Sequence, residues 1–121
     1  MHYIEGTIDA LEISGANPGR IRFSVIPASE RILSRDGGKK TALFTDSSSS
    51  EALLVESSKN ASGKEVLWFH AKEHLCSILL SAKNNRNTIW VWCDNPEAPK
   101  LDDQEPIPPI STIEAKGIRV F

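Results

Sequence analysis

The feature that most constrains the fold is a long amphipathic segment that leads directly into an aromatic strand. This segment, Glu65–Asp94, carries apolar residues at helical spacing and ends in Thr88–Cys93, whose sequence is TIWVWC. The spacing predicts a helix over about Val66–Asn84, followed by a strand over Thr88–Asp94. The other apolar stretches are short or alternate with polar residues, which predicts strands. The chain is therefore expected to be mainly β with one helix.

The N-terminal part of the chain predicts a hairpin. Tyr3–Ile13 alternates in its first half, and the change of facing at Leu11 indicates a bulge. Arg20–Ile26 alternates throughout, with its apolar residues on one face. Residues 14–19 are rich in Gly, Pro and Asn and supply the turn between the two strands.

The middle and the end of the chain give weaker strand signals. Short strands are predicted at Arg31–Leu33 and Thr41–Phe44, and a third main strand is predicted at Ala52–Val55. Ile110–Phe121 is expected to close the chain as a final strand region, with a bulge at Gly117.

Two biased stretches are predicted to be loops. Residues 46–51 include four consecutive serines, which is typical of a flexible linker. Residues 95–109 hold five prolines among several acidic residues, too many for regular structure. With these loops included, the 121 residues are expected to form one domain, residues 1–121.

Charge and hydropathy disfavour some classes of protein. The chain has 14 Lys and Arg against 16 Asp and Glu, whereas duplex-binding domains usually carry a basic excess. No apolar run approaches the roughly 20 residues that span a bilayer, so no membrane segment is expected. The N-terminus shows no signal-peptide pattern, which makes the cytoplasm the default expectation. A secreted or periplasmic protein is expected only if a signal peptide has been removed.

The sequence offers one pattern that suggests catalysis. Residues 70–74 (HAKEH) match H-x-x-E-H, in which two histidines one helical turn apart hold zinc. A working site also needs a third ligand on a second long helix, and the sequence predicts no such helix. Cys76 and Cys93 are expected to be free and buried, with a disulfide between them as the alternative. We therefore expect no catalytic residue, no metal and no cofactor.

The predicted helix has two apolar sides. Its core stripe comprises six residues, and a second group, Phe69, Cys76 and Leu80, lies on another flank. A helix that is apolar on two sides usually buries both. The second group is expected to contact another protein or subunit, or to lie under the Pro-rich loop. The predicted core stripe consists of Trp68, Ala71, Leu75, Ile78, Leu79 and Ala82.

The aromatic strand suggests a binding surface. Trp90 and Trp92 lie one pleat repeat apart on one face of the predicted strand, and bases or sugar rings stack on such indoles. Arg20 and Arg22 would supply cations nearby. The more common alternative is that at least one of the two indoles belongs to the core.

The predicted order of three strand regions, a helix and two strands resembles the OB-fold. That fold is a five-stranded Greek-key barrel, and here the helix would lie between the third and fourth main strands. The final third is similar to the small B subunits of bacterial AB5 toxins, in which a long helix leads into an apolar strand and the subunits form a ring. This likeness rests on His74–Asn84, Thr88–Cys93 and Ile110–Ile113, and it identifies no binding residue.

Two functions follow as hypotheses. The first is a non-enzymatic, oligomeric binding or assembly module that acts through protein–protein contacts. Its interface would comprise Phe69, Cys76 and Leu80 together with the face of the strand that carries Trp90 and Trp92. The second is an OB-fold domain that binds single-stranded nucleic acid or oligosaccharide through Trp90, Trp92 and the arginines of the second strand. The acidic net charge and the two-sided helix favour the first hypothesis, and the aromatic strand favours the second.

Overall fold

A computed structural model of the chain describes residues 2–13, 19–28, 31–33, 41–45, 53–94, 107 and 112–121. Within these residues the chain forms nine strands, one 3-10 turn and one α-helix. In chain order they are β1 (His2–Ile13), β2 (Arg20–Pro27), β3 (Arg31–Leu33), β4 (Thr41–Thr45), β5 (Leu53–Lys59), β6 (Glu65–Lys72), the turn Glu73–Leu75, α1 (Cys76–Asn84), β7 (Thr88–Cys93), β8 (Ile113–Glu114) and β9 (Gly117–Val120).

The strands form one sheet whose path runs β3-β4-β5-β6-β2-β1-β7-β9, and β8 pairs with β6 beside that path. The ladder between β6 and β8 is parallel, whereas β1 pairs antiparallel with both β2 and β7. Ala115 and Lys116 alone separate β8 from β9. The last described segment of the chain therefore passes from the edge of β6 to the edge of β7.

The predicted hairpin and bulge are confirmed. β1 pairs with β2 from Gly6 opposite Pro27 to Ile13 opposite Ile21, and the register shifts between Ile8 and Ala10. This shift explains why the alternation of apolar residues changes phase partway along β1.

The core lies on one face of the sheet. β2 directs Ile21, Phe23 and Val25 into it, and β6 adds Leu67, Phe69 and Ala71 from the neighbouring ladder. α1 covers this face and buries Leu79 and Ala82 against it. We call the opposite side of the sheet the outer face.

The predicted helix over Val66–Asn84 is wrong in its first half. Glu65–Lys72 is the strand β6, and the α-helix begins only at Cys76. The apolar residues of this stretch fit the period of a helix and also the period of a strand. Leu67, Phe69 and Ala71 alternate with Trp68 and His70, as residues of a strand do. Pairing with β2 on one side and β5 on the other decides in favour of the strand.

The prediction of a mainly β chain with one helix is confirmed, but the sheet differs from a five-stranded barrel. Eight of the nine strands in the described residues lie on an open path, and β8 pairs with β6 beside it. β3, β4 and β5 extend the sheet beyond β6 as an antiparallel meander. The short strands predicted in the middle of the chain are present. The Ser-rich stretch 46–51 lies outside the described residues, as does the Pro-rich stretch 95–109 except for the buried Ile107.

Candidate binding surfaces

Aromatic side chains from the two ends of the chain meet on the outer face. β7 buries Ile89, Val91 and Cys93, so that Trp90 and Trp92 project from the opposite side. Their neighbours come from β1 on one side and from β9 and the C-terminus on the other. We call this group the outer aromatic cluster; it consists of Tyr3, Trp90, Trp92, Arg119 and Phe121.

Trp90 is the centre of the outer aromatic cluster. The Tyr3 ring lies 4.5 Å from it at 31°, and the Phe121 ring lies 5.0 Å from it at 63°. The guanidinium of Arg119 stacks 5.2 Å from the Trp90 ring and 4.7 Å from the Phe121 ring. These ring–ring and cation–π contacts fix the cluster before any partner is present.

Opposite charges flank Trp90 on the two neighbouring strands. In the ladders, Glu5 of β1 lies directly across from Trp90 on one side, and Arg119 of β9 lies across from it on the other. The indole Nε1 of Trp90 donates a hydrogen bond to Glu5 Oε1 at 2.9 Å. The three side chains therefore form a row, carboxylate, indole and guanidinium, across three adjacent strands.

The exposed part of the cluster is aromatic and lies at its margins. Tyr3 is 46% exposed and Phe121 is 50% exposed, whereas both indoles are half-buried. The structure thus places Trp90 and Trp92 on the outer face and not in the core. Their rings meet at 78°, so they do not form one flat surface.

Arg20 and Arg22 lie away from the outer aromatic cluster. Arg22 pairs across the ladder with Glu12, seven positions along β1 from the Glu5 that pairs with Trp90. At a rise of about 3.3 Å per residue this is roughly 20 Å. The cation of the cluster is Arg119, which the sequence analysis missed together with Tyr3 and Phe121. Tyr3 and Arg119 are next to the apolar residues Ile4 and Ile118 in the chain, so the alternation along each strand places them on the face away from the core. Only the strand order shows that the two side chains are close to each other.

Arg22 belongs to a second polar group on the outer face. Its guanidinium lies 4.1 Å from the Trp68 ring, forms an ion pair with Glu56, and approaches Glu12 at 3.8 Å. Thr112 donates a hydrogen bond from Oγ1 to Glu56 at 2.5 Å. This group ties the segment before β8 to β5, so the charge of Arg22 is already matched.

The proposed flank of Phe69, Cys76 and Leu80 is not a single surface. Phe69 is fully buried on β6, which makes its placement on an outer helix flank wrong. Cys76 and Leu80 share one side of α1, and Cys76 is half-buried while Leu80 is 46% exposed. The helix therefore offers a small apolar flank centred on Leu80.

The H-x-x-E-H pattern does not lie on one helix. His70 is on β6, whereas Glu73 and His74 are in the 3-10 turn. Within the described ranges, no three or more His, Cys, Asp or Glu side chains are grouped so that they could hold a metal ion. Both cysteines are free, and burial followed by the charge of Asp94 raises the pKa of Cys93 to about 12.

Comparison of the chain with protein-family models, with curated proteins and with solved structures gives no match. In the part of the chain that the structure describes, no helix is both long enough and apolar enough to cross a membrane. The candidate surfaces therefore rest on the geometry of this chain alone.

Proposed function

We propose that this protein is a non-enzymatic assembly module that makes protein–protein contacts through the outer aromatic cluster, with a second copy of the chain as the partner. The main observation behind the proposal is that Trp90 packs against the rings of both Tyr3 and Phe121, which are exposed to solvent. Tyr, Trp, Phe and Arg are enriched at the centres of protein interfaces, where a few such side chains supply most of the binding energy.

The charges beside Trp90 favour a second copy as the partner. A two-fold axis along β7 in the plane of the contact would place Glu5 of one copy over Arg119 of the other, and the reverse. The same patch would then meet itself with opposite charges facing. Adjacent strands are about 4.8 Å apart, so both charges lie close to such an axis.

A second candidate function is the binding of single-stranded nucleic acid or oligosaccharide. It is supported by the two half-buried indoles and by the cation of Arg119 beside them. It is the weaker candidate because the indoles are nearly perpendicular, and because Tyr3 and Arg119 already contact the Trp90 ring. A ligand would stack on Trp92 alone.

We also propose that the sheet contains an OB-fold. The five strands of this OB-fold would be β1, β2, β6, β7 and β9. The helix α1 lies between the third and the fourth of them, as it does in an OB-fold. Three further strands, β3 to β5, would then be an insertion between the second and third OB strands. The likeness to ring-forming toxin B subunits supports assembly in the same way, and it adds no binding residue.

Light scattering on a concentration series tests the proposed assembly. We expect the wild type to self-associate and Phe121→Ser or Tyr3→Ser to weaken association about 30-fold, the effect of losing roughly 2 kcal/mol at an interface centre. Ile13→Ser is the matched control, because Ile13 is 71% exposed and lies at the far end of β1. Leu80→Glu tests the helix flank separately. A monomeric wild type, or dissociation by Leu80→Glu alone, would contradict the proposal.

Tryptophan fluorescence tests the second candidate. Single-stranded oligonucleotides and oligosaccharides would be titrated against the wild type, Trp92→Ala and Trp68→Phe. Saturable quenching that is lost only in Trp92→Ala would favour ligand binding over assembly. Under our proposal, neither class of ligand produces saturable quenching.

A further inference from the structure

A small cavity lies where β6 ends and the last segment of the chain crosses toward β7. It has a volume of about 200 Å³. Lys72 and His74 line it from the end of β6 and the following turn, and Glu114 and Lys116 line it from the end of β8 and the residues that follow it. Leu75 and Ala115 supply its apolar surface.

The cavity lies in a positively charged part of an acidic protein. Lys72 pairs across the ladder with Arg20, and like charges directly opposite each other are destabilising in a sheet. Lys116 adds a third cation, and its Nζ lies 3.0 Å from Glu114 Oε2. The residues that line the cavity include two lysines and one carboxylate, and Arg20 lies beside Lys72 in the ladder. The lining therefore has an excess positive charge, whereas the whole chain has a net charge of −2.

We propose that this cavity binds a phosphate-type oxyanion, held by Lys72 and Lys116. An anion there would relieve the repulsion between Arg20 and Lys72. The cavity, at about 200 Å³, has room for a phosphoryl group and is smaller than the pockets of about 300–1,000 Å³ that enclose whole small-molecule ligands. This site is separate from the outer aromatic cluster and does not depend on the proposed assembly.

Glu114 would compete with the ligand for Lys116. The hydrogen bond from Lys116, then the charges of Lys116 and Lys72, lower the pKa of Glu114, so its carboxylate is ionised at neutral pH. Its removal would release Lys116 and lower the negative charge in the cavity. Loss of this carboxylate should therefore strengthen phosphate binding. If the ion pair between Glu114 and Lys116 only stabilised the fold, its loss would not strengthen phosphate binding.

His70 provides a reporter beside the cavity. Burial, then the charge of Arg20, lowers the pKa of this imidazole, and Lys116 lowers it further. A bound oxyanion would offset the positive charge around His70 and raise its pKa. The ring resonances of His70 would report this change without any measurement of activity.

Nuclear magnetic resonance titration with inorganic phosphate tests the proposal. We expect saturable shifts of the amides of residues 114–117, together with a rise in the pKa of His70. Lys72→Gln and Lys116→Gln should each weaken binding about threefold to fivefold, the range of a partly exposed ion pair. Glu114→Gln should strengthen binding by a similar factor. Lys64→Gln is the control, because Lys64 is an exposed lysine in the turn between β5 and β6.

Two further titrations identify the anion. One distinguishes free phosphate from the phosphoryl group of a larger molecule, and the other distinguishes a phosphate from a carboxylate. Methyl phosphate should bind as inorganic phosphate does if the site takes a phosphoryl group of a larger molecule, and weaker binding would restrict the site to free phosphate. Acetate should bind more weakly than either. The proposal is overturned by unsaturable shifts, by equal affinity in the Lys116→Gln variant, by no gain in Glu114→Gln, or by acetate binding as tightly as phosphate.

Discussion

At the scale of single residues, His70 shows how the outer face makes a side chain sensitive to pH. Its ring lies near Arg20 of β2, Glu114 of β8 and Lys116. Its Nδ1 is buried and has no hydrogen-bond partner among the described residues. Burial and the nearby cations together disfavour the protonated ring.

The lowered pKa of His70 predicts a loss of stability on acidification. The folded protein holds this proton less tightly than the unfolded chain, in which the pKa is 6.5. The His70 contribution is therefore fully present above pH 6.5 and is lost as the pH falls below it. Urea unfolding at pH 7.5 and 5.5 should show a smaller difference for His70→Gln than for the wild type. His74→Gln should keep the wild-type difference, and equal differences in all three proteins would refute this assignment.

The two cysteines should differ in reactivity. Cys93 is fully buried and its pKa is raised to about 12, whereas Cys76 is half-buried at the start of α1. A thiol reagent at neutral pH should therefore modify one thiol in the native protein and two in denaturant, because only the thiolate reacts. Cys76→Ser should abolish the native reaction. Rapid native modification of Cys93 in that variant would show that the β7 core is open.

At the scale of elements, the β1–β2 ladder depends on a close approach at Gly6. A Cβ at this position would overlap the carbonyl oxygen of Ile26 and come within 2.6 Å of Val25 Cγ1. Gly6 is buried and pairs with residues of both β2 and β7, so neither neighbour can easily move away.

Gly6→Ala should therefore lower the free energy of unfolding by about 3 kcal/mol, the upper part of the usual range for overpacking. Gly117→Ala is the matched control, since its Cβ would lie 3.6 Å from Trp92 Cε3, an ordinary contact. Urea unfolding measures both variants. Equal stability of Gly6→Ala and the wild type would mean that β1 and β2 are farther apart than described.

The elements also show what sequence alone can determine. Strands β1, β2 and β7 were predictable because each places apolar residues on one face at a period of two. The segment Glu65–Lys72 was not, because its apolar residues fit helix and strand equally and pairing with β2 decided between them. The outer aromatic cluster was only half predictable. Trp90 and Trp92 were identified, but Tyr3, Arg119 and Phe121 join them through strand order, which no local pattern contains.

At the scale of the whole molecule, the outer face is divided into two regions with different chemistry. At one end, aromatic rings and a flanking pair of opposite charges form the outer aromatic cluster. At the other end, Arg22 stacks on Trp68 and forms an ion pair with Glu56, so its charge is balanced within the protein. The proposed phosphate site lies at the end of β6, where the chain passes from β8 to β9. We therefore propose protein contacts at the aromatic end and an anion in the cavity.

The measurement that tests the central claim most directly is cross-saturation between copies of the protein. Deuterated, nitrogen-15-labelled chains would be mixed with unlabelled chains, and saturation of the unlabelled side chains would be detected at the labelled amides. We predict that signals weaken at residues 3–5, 88–92 and 117–121, with α1 unaffected. Weakening confined to the Leu80 side of α1, or no transfer at any concentration, would contradict assembly through the outer aromatic cluster.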